Sequence, residues 1–341
     1  MKQTLKDLTR KSVFLSMMLL ACSGIFAKSK TKWAVNPELP MSVRMCQSEI
    51  IRNPEGWMLD FSTKLKWNYC HGLECQAFLD VYDRYGGDYL YKYVKQFADT
   101  MINENGRIYG YKKTNYNLDH VNSGKILFRL YEREKDPRYK IAMDTLRAQL
   151  ASQPRTSDGG FWHKKIYPYQ MWLDGIYMGS PFYAQYAATF NEPEDFADVV
   201  SQFLIIAKHT YDKKTGLYRH AWDEIKALPW SDLKTGQAPH VWGRALGWYM
   251  MAIVDALDFI PENQPGRDKM ILILNDLVKI LPKYQDQRTG AWYQVVDMPE
   301  REGNYLEMSC TPMYAYAIAK GVRKGYLPEK SLSIAQKAYQ G

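Results

Sequence analysis

Beyond its first 27 residues this 341-residue chain has no apolar run long enough to span a bilayer, which excludes a transmembrane helix there. Cysteine is scarce: Cys22 falls in the leader, and Cys46, Cys70, Cys75 and Cys310 lack zinc-site spacing. Cys70 and Cys75 stand five apart on one expected helix, a poor geometry for bridging, so free buried thiols are expected. Histidine numbers only six, with no HExxH pair, and no metal is expected. There is no GxGxxG after a strand, no GxxxxGK[ST] and no GxSxG, which sets aside dinucleotide, P-loop and serine-hydrolase chemistry. The formal charge of +8 includes +3 from Lys2, Lys6, Arg10 and Lys11 against Asp7 in the leader. The remaining basic residues are scattered with no run like a phosphate-binding arm, so nucleic acid is not an expected partner. The positive balance suits a small acidic substrate.

Aromatic residues are abundant, at 14% with 26 Tyr and 10 Trp. Many lie in polar, glycine-containing stretches, where rings suit either the apolar faces of sugars or wedges between helices. The N-terminus reads as an export signal over 1–27: basic residues through Lys11 precede an apolar run from Val13 to Ala27. Cleavage after Ala27 and a lipoprotein-type site at Leu19-Leu20-Ala21-Cys22, with Cys22 lipid-anchored, both stay open. Either places the mature protein outside the cytoplasm, in the periplasm or on the outer surface. A linker is expected over 28–40 and a single domain over 41–341.

Within that domain one pattern returns five times, roughly every 50 to 75 residues. A turn with glycine and an aromatic leads into a polar-aromatic loop and then two helices. The turns are "EGWML" at Gly56, "NGRIYGY" at Gly106, "GGFWHK" at Gly160, "TGLYRH" at Gly216 and "TGAWYQ" at Gly290. In "KILFRLYERE", Ile126, Leu127, Leu130 and Tyr131 have helical spacing, and Asp136-Pro137 can cap and begin the next helix. Helix pairs are predicted at about 65–102, 120–153, 173–212, 242–286 and 307–340, after a lone helix from Met41 to Arg52. Eleven helices is one short of the twelve of an (α/α)6 barrel, so the expected fold is an all-α barrel of hairpins lacking its last helix, its C-terminus truncated. The long loops would emerge on one face, the natural place for function. Tetratricopeptide repeats, about 34 residues with short loops, do not match.

Four loop-to-helix junctions hold the informative polar residues: "YNLDHVNSG", "FWHKKIYPYQMWLDGIYMGSPF", "LYRHAWDE" and "PHVWGRALGWYMM". Asp119 and Asp174 occupy equivalent points of consecutive repeats. Each could simply cap a helix; together, amid aromatics, they form a candidate carboxylate pair for sugar chemistry. His163 and His220 follow corresponding glycine turns. Trp242, Arg244 and Trp248 cluster at a helix start, with Arg244 and Trp248 four apart on one face. Guanidinium beside an indole suits carboxylate recognition with ring stacking. The glycines of "GRALGW" look like close-packing positions.

At these residues the sequence resembles glycoside hydrolase family 105, the unsaturated rhamnogalacturonyl hydrolases, and more distantly the family 88 unsaturated glucuronyl hydrolases. "NLDHVNSGK", "WLDGIYMGSPF", "HVWGRALGWYMMAIVDALDFIP" and "NYLEMSCTPMYAYAIAKGV" carry the resemblance, from about Trp57 onward. It implies the (α/α)6 barrel, no metal or organic cofactor, and hydration of the C4–C5 double bond that a polysaccharide lyase leaves on a terminal uronic acid. Pectin-derived oligosaccharides with rhamnose next to the uronate are the family default. By motif, the resemblance makes Asp174 the general acid/base and Asp119 the second carboxylate. His163, Lys164, His220, Trp242, Arg244 and Trp248 would line the subsite, with Arg244 orienting the uronate. An inverting glycosidase or epimerase on the same barrel, or a glycan-binding surface protein, are the alternatives that the residues alone leave open.

Overall fold

The computed structural model describes residues 35–341; the expected leader and the Cys22 anchor lie outside the described residues. Two compact units divide at Arg52. The first holds α1 (Met41–Arg52), where a lone helix was expected.

The second unit is built of helical hairpins. α2 (Tyr69–Tyr85) and α3 (Asp88–Met101) are joined by Gly86 and Gly87, whose φ of 75° and 94° only glycine adopts readily. α4 (Asp119–Asn122) and α5 (Lys125–Glu134) stand where one helix was predicted. The break falls at Ser123, whose hydroxyl donates to the Asn68 carbonyl at 2.6 Å and whose backbone leaves no room for a Cβ on Gly72 of α2. α6 (Pro137–Ala151) begins as read from sequence: Asp136 accepts from the Arg138 N–H at 2.9 Å, with Pro137 in the first turn. The later hairpins are α7 (Leu173–Phe190) with α8 (Asp195–Thr210), α9 (Gly243–Ala256) with α10 (Arg267–Ile280), and α11 (Cys310–Arg323) with α12 (Leu332–Gln340).

α7 and α9 are buried nearly all round, which places them in the interior. α9 packs against both α7 and α11. The close-packing reading of "GRALGW" holds: a Cβ on Gly243 would meet Cys310 Sγ at 2.9 Å, and one on Gly247 would meet Met313 Sδ at 2.7 Å. Either substitution would push α9 off α11.

Between hairpins the loops are tied by short strands that sequence periodicity did not indicate, because two or three residues carry no alternation to detect. β1 (Gln170–Trp172) pairs antiparallel with β4 (Ala221–Asp223), setting Trp172 opposite Ala221. β2 (Tyr211–Asp212) pairs with β3 (Leu217–Tyr218). The first pair joins the loops of consecutive repeats just where each enters the site. Cys46, Cys70, Cys75 and Cys310 are free thiols. No helix among the described residues is long and apolar enough to cross a membrane.

Candidate active site

Asp119 and Asp174 sit in the first turns of α4 and α7, and neither caps its helix: Leu118 and Trp172 hold the cap positions without a side-chain bond. Freed from capping, the two carboxylates meet different surroundings.

Asp119 is buried against two bases. Lys164 Nζ lies 2.5 Å from its Oδ2 and His163 Nε2 lies 3.3 Å from its Oδ1. Burial pushes the carboxyl up, but the His163 contact and the Lys164 charge outweigh it and hold Asp119 far below the usual carboxylate range. The loop fixes these partners through backbone bonds: Leu118 N–H donates to the His163 carbonyl at 3.2 Å, and His163 N–H to that of Gln170 at 2.9 Å. A Cβ on Gly175 would come within 2.8 Å of His163 Nδ1, so the residue after Asp174 must be this small to let the imidazole in.

Among the described residues Asp174 meets no lysine or arginine. Its Oδ2 is buried without a hydrogen-bond partner. His220 Nε2 lies 3.3 Å away, close enough for an ion pair but misaligned for a hydrogen bond, and it too is buried and unpartnered. The β1–β4 pairing makes this approach, with Leu173 N–H donating to the His220 carbonyl at 3.0 Å.

Aromatic contacts join the two carboxylates to the arginine. His163 stacks on Trp172 with centroids 4.6 Å apart, and Tyr167 stacks on the same indole at 4.9 Å. His220 meets Trp172 edge-on at 5.2 Å and Trp242 at 4.9 Å. The Arg244 guanidinium lies 4.5 Å over the Trp242 ring and donates from Nη1 to Glu307 Oε1 at 3.1 Å. The arginine's indole partner is thus Trp242 rather than Trp248, the pairing expected from helical spacing. Trp248 lies deeper, tilted on Tyr177 at 4.7 Å and edge-on to Tyr69 at 6.1 Å.

Seven of the eight residues read from sequence therefore fall in one cluster, and the eighth, Trp248, packs on Tyr177 and Tyr69 instead. Sequence reasoning gave no role to Tyr167 or Glu307, and saw Trp172 only as the neighbour that opens "WLDGIYMGSPF" beside Asp174. Glu307 stands in "NYLEMSCT" just before α11. Glu307 is buried, and burial raises its carboxyl less than Ser309, the Cys310 N–H and Arg244 lower it, so it is held below its ordinary value. No group of three or more His, Cys, Asp or Glu able to hold a metal occurs among the described residues. A separate cavity of about 660 Å³ has Lys125, Tyr177, Asp255 and Lys320 in its wall, none of them in the carboxylate cluster. There Lys320 is tied to Asp255 and Asp258 at 2.7 Å each, and burial lowers Lys125 to about 8.

Two carboxylates in unlike settings, ringed by indole and imidazole and flanked by a half-exposed arginine on a frame of helical hairpins, form a cluster whose groups suit carbohydrate chemistry. The chain belongs to Glycosyl Hydrolase Family 88, whose sequence pattern matches residues 41–341. It is similar to a solved family 105 glycoside hydrolase of C. acetobutylicum ATCC 824, with 44% identity and a TM-score of 0.83 over 88% of this chain and 82% of that one. A possible family 105 member from Salmonella enterica serovar Paratyphi A is 27% identical, with a TM-score of 0.69 over 80% of this chain and 69% of that one. The unsaturated rhamnogalacturonyl hydrolase YesR of Bacillus subtilis strain 168 is 24% identical over 264 residues, 76% of this chain and 72% of that protein. The fold is accordingly the (α/α)6 barrel of these glycosidases.

Proposed function

We propose that this glycosidase removes a terminal 4,5-unsaturated uronic acid from lyase-generated oligosaccharides by hydrating the C4–C5 double bond, with Asp174 as general acid/base. The observation that carries the reading is the buried, unpartnered Oδ2 of Asp174 beside an unpartnered His220 nitrogen. A carboxyl that must give and take a proton needs an oxygen not tied to a fixed cation, and Asp119, clamped by Lys164 and His163, has none to spare. Two relatives, an unsaturated rhamnogalacturonyl hydrolase and an unsaturated 3S-rhamnoglycuronyl hydrolase, support the substrate class.

The substrate's ring is a vinyl ether. Asp174 donates its proton to C4, and the ring oxygen shares the positive charge that develops at C5. Water attacks C5 and gives its proton to the Asp174 carboxylate, which restores the acid. The resulting hemiketal opens to a 5-keto sugar, and the hemiacetal at C1 then expels the neighbouring sugar, rhamnose where the oligosaccharide comes from pectin. Trp242 offers an aromatic wall, Asp119 a fixed negative charge near the cationic transition state, and Arg244 a fork for the uronate.

In heavy water, deuterium is expected at C4 of the product, with loss of the ultraviolet absorbance of the conjugated double bond at each turnover. Cleavage of the saturated analogue with C4 unlabelled would overturn the reading in favour of an inverting glycosidase; binding without turnover of either would point to a glycan-binding protein. The leader over 1–27 makes export part of the proposal. Mass spectrometry of protein from the native host should find residues through Ala21 or Ala27 missing, and an intact Met1 on soluble cytosolic protein would contradict it.

A further inference from the structure

We infer that Glu307 is a positioning residue: it fixes the Arg244 guanidinium in the one orientation that presents its open edge to the uronate carboxylate. The inference rests on the proposed function for the identity of that carboxylate, and on the following geometry for the rest.

Arg244 has a side chain 42% exposed, whereas that of Glu307 is 5% exposed. An arginine that open would ordinarily sample many rotamers. Here Nη1 donates to Glu307 Oε1 at 3.1 Å while the guanidinium lies over Trp242, so one edge and one face are both held. Glu307 is itself immobilised. Its Oε2 accepts the Cys310 N–H at 2.6 Å, its Oε1 also accepts the Ser309 hydroxyl, and its backbone N–H donates to the Trp292 carbonyl at 2.8 Å. The anchored acid therefore carries the rigidity of the α11 start across to a side chain of α9. The remaining guanidinium N–H groups are left for a ligand.

A purely structural role, capping α11, is the competing account, because Glu307 accepts from an N–H of the first turn. Glutamine separates the two. Its amide oxygen can keep the Cys310 bond, while its NH2 then faces the guanidinium and cannot accept from it. Removing the negative charge also leaves Arg244 free to attract an anion as strongly as before. Glu307→Gln should therefore lower kcat by about tenfold while KM stays within about threefold, since misregistration of bound substrate costs rate rather than affinity.

The test is steady-state kinetics on an unsaturated digalacturonide and on its uronate methyl ester, in the full chain. Glu307→Gln should spare the ester to within about twofold, and should change kcat by less than about twofold in an Arg244→Met background. Equal losses on acid and ester, or losses that multiply with Arg244→Met, would overturn the inference in favour of capping. Nitrogen-15 NMR of the Arg244 side chain supplies a readout independent of substrate. Restricted guanidinium rotation in wild type, lost in Glu307→Gln, supports the clamp, and free rotation in wild type overturns it. Restricted rotation with no turnover of the unsaturated substrate would instead sink the proposed function.

Discussion

Two carboxylates at matching points of consecutive hairpins have been given different partners. Asp119 enters α4 facing Lys164 and His163, both brought by the next loop, and is fixed as an anion. Asp174 enters α7 facing only His220, through a contact that makes no hydrogen bond, and keeps a buried oxygen unused. The repeat supplies the position; the loop that follows supplies the chemistry. Such a division suits the proposed reaction, in which one group moves a proton and another holds still beside a developing cation.

The sharpest way to break this comparison is to neutralise each acid in turn. Asp174→Asn should lower kcat by roughly 10³- to 10⁴-fold, the upper range for a general acid/base, while binding of a product-like uronate stays within a few fold. Asp119→Asn should lower kcat by about 10²-fold, because a buried anion is lost but the proton path remains. Single-turnover kinetics with matched binding measurements would decide it. If Asp119→Asn proved the more damaging, the assignment of roles would have to be exchanged.

The comparison also marks how far sequence could see. The hairpin count was legible because glycine turns recur beside helical apolar spacing and Asp-Pro punctuation; Asp136-Pro137 does in the structure what it suggests in the sequence. Both acids were legible as a repeated position. Their difference was not, because Lys164 and Gly175 act on Asp119 and His163 across the fold rather than along the chain. Spacing likewise paired Arg244 with Trp248, four residues on. The guanidinium turned instead to Trp242 and to Glu307, 63 positions away, which no helical wheel contains. The β1–β4 pairing that carries His220 to Asp174 is three residues long on each side and has no periodic signature.

A third substitution sharpens the contrast between proton chemistry and substrate holding. Arg244→Lys retains a cation but loses the planar fork and the geometry that fits both Glu307 and a ligand carboxylate. A charge-assisted hydrogen bond is typically worth about 1.5 to 3 kcal/mol, so kcat/KM should fall roughly ten- to a hundredfold. The uronate methyl ester should lose much less. Wild-type efficiency of Arg244→Lys on the acid would reduce Arg244 to a structural partner of Glu307.

The smallest expected effect concerns stability rather than rate. A carboxyl held low in the folded chain stabilises the fold above its unfolded pKa of about 3.9, and that contribution is lost as pH falls toward the folded value. Asp119 is such a group: burial opposes its ionisation, but His163 and Lys164 prevail. Between neutrality and about pH 5 both the folded and unfolded Asp119 are ionised, so its contribution is full and constant. Below about pH 4 the unfolded chain binds a proton at this position that the folded chain refuses, and wild type loses stability. Asparagine cannot titrate. The stability gap between wild type and Asp119→Asn should therefore be about 1 to 3 kcal/mol at pH 7, the usual cost of leaving buried polar partners unsatisfied, and should narrow steadily below about pH 4. Urea midpoints measured from pH 7 to pH 3 would show it. A gap that stayed constant to pH 3 would mean that the Lys164 and His163 contacts do not hold Asp119 as an anion, and the contrast with Asp174 would lose its electrostatic half.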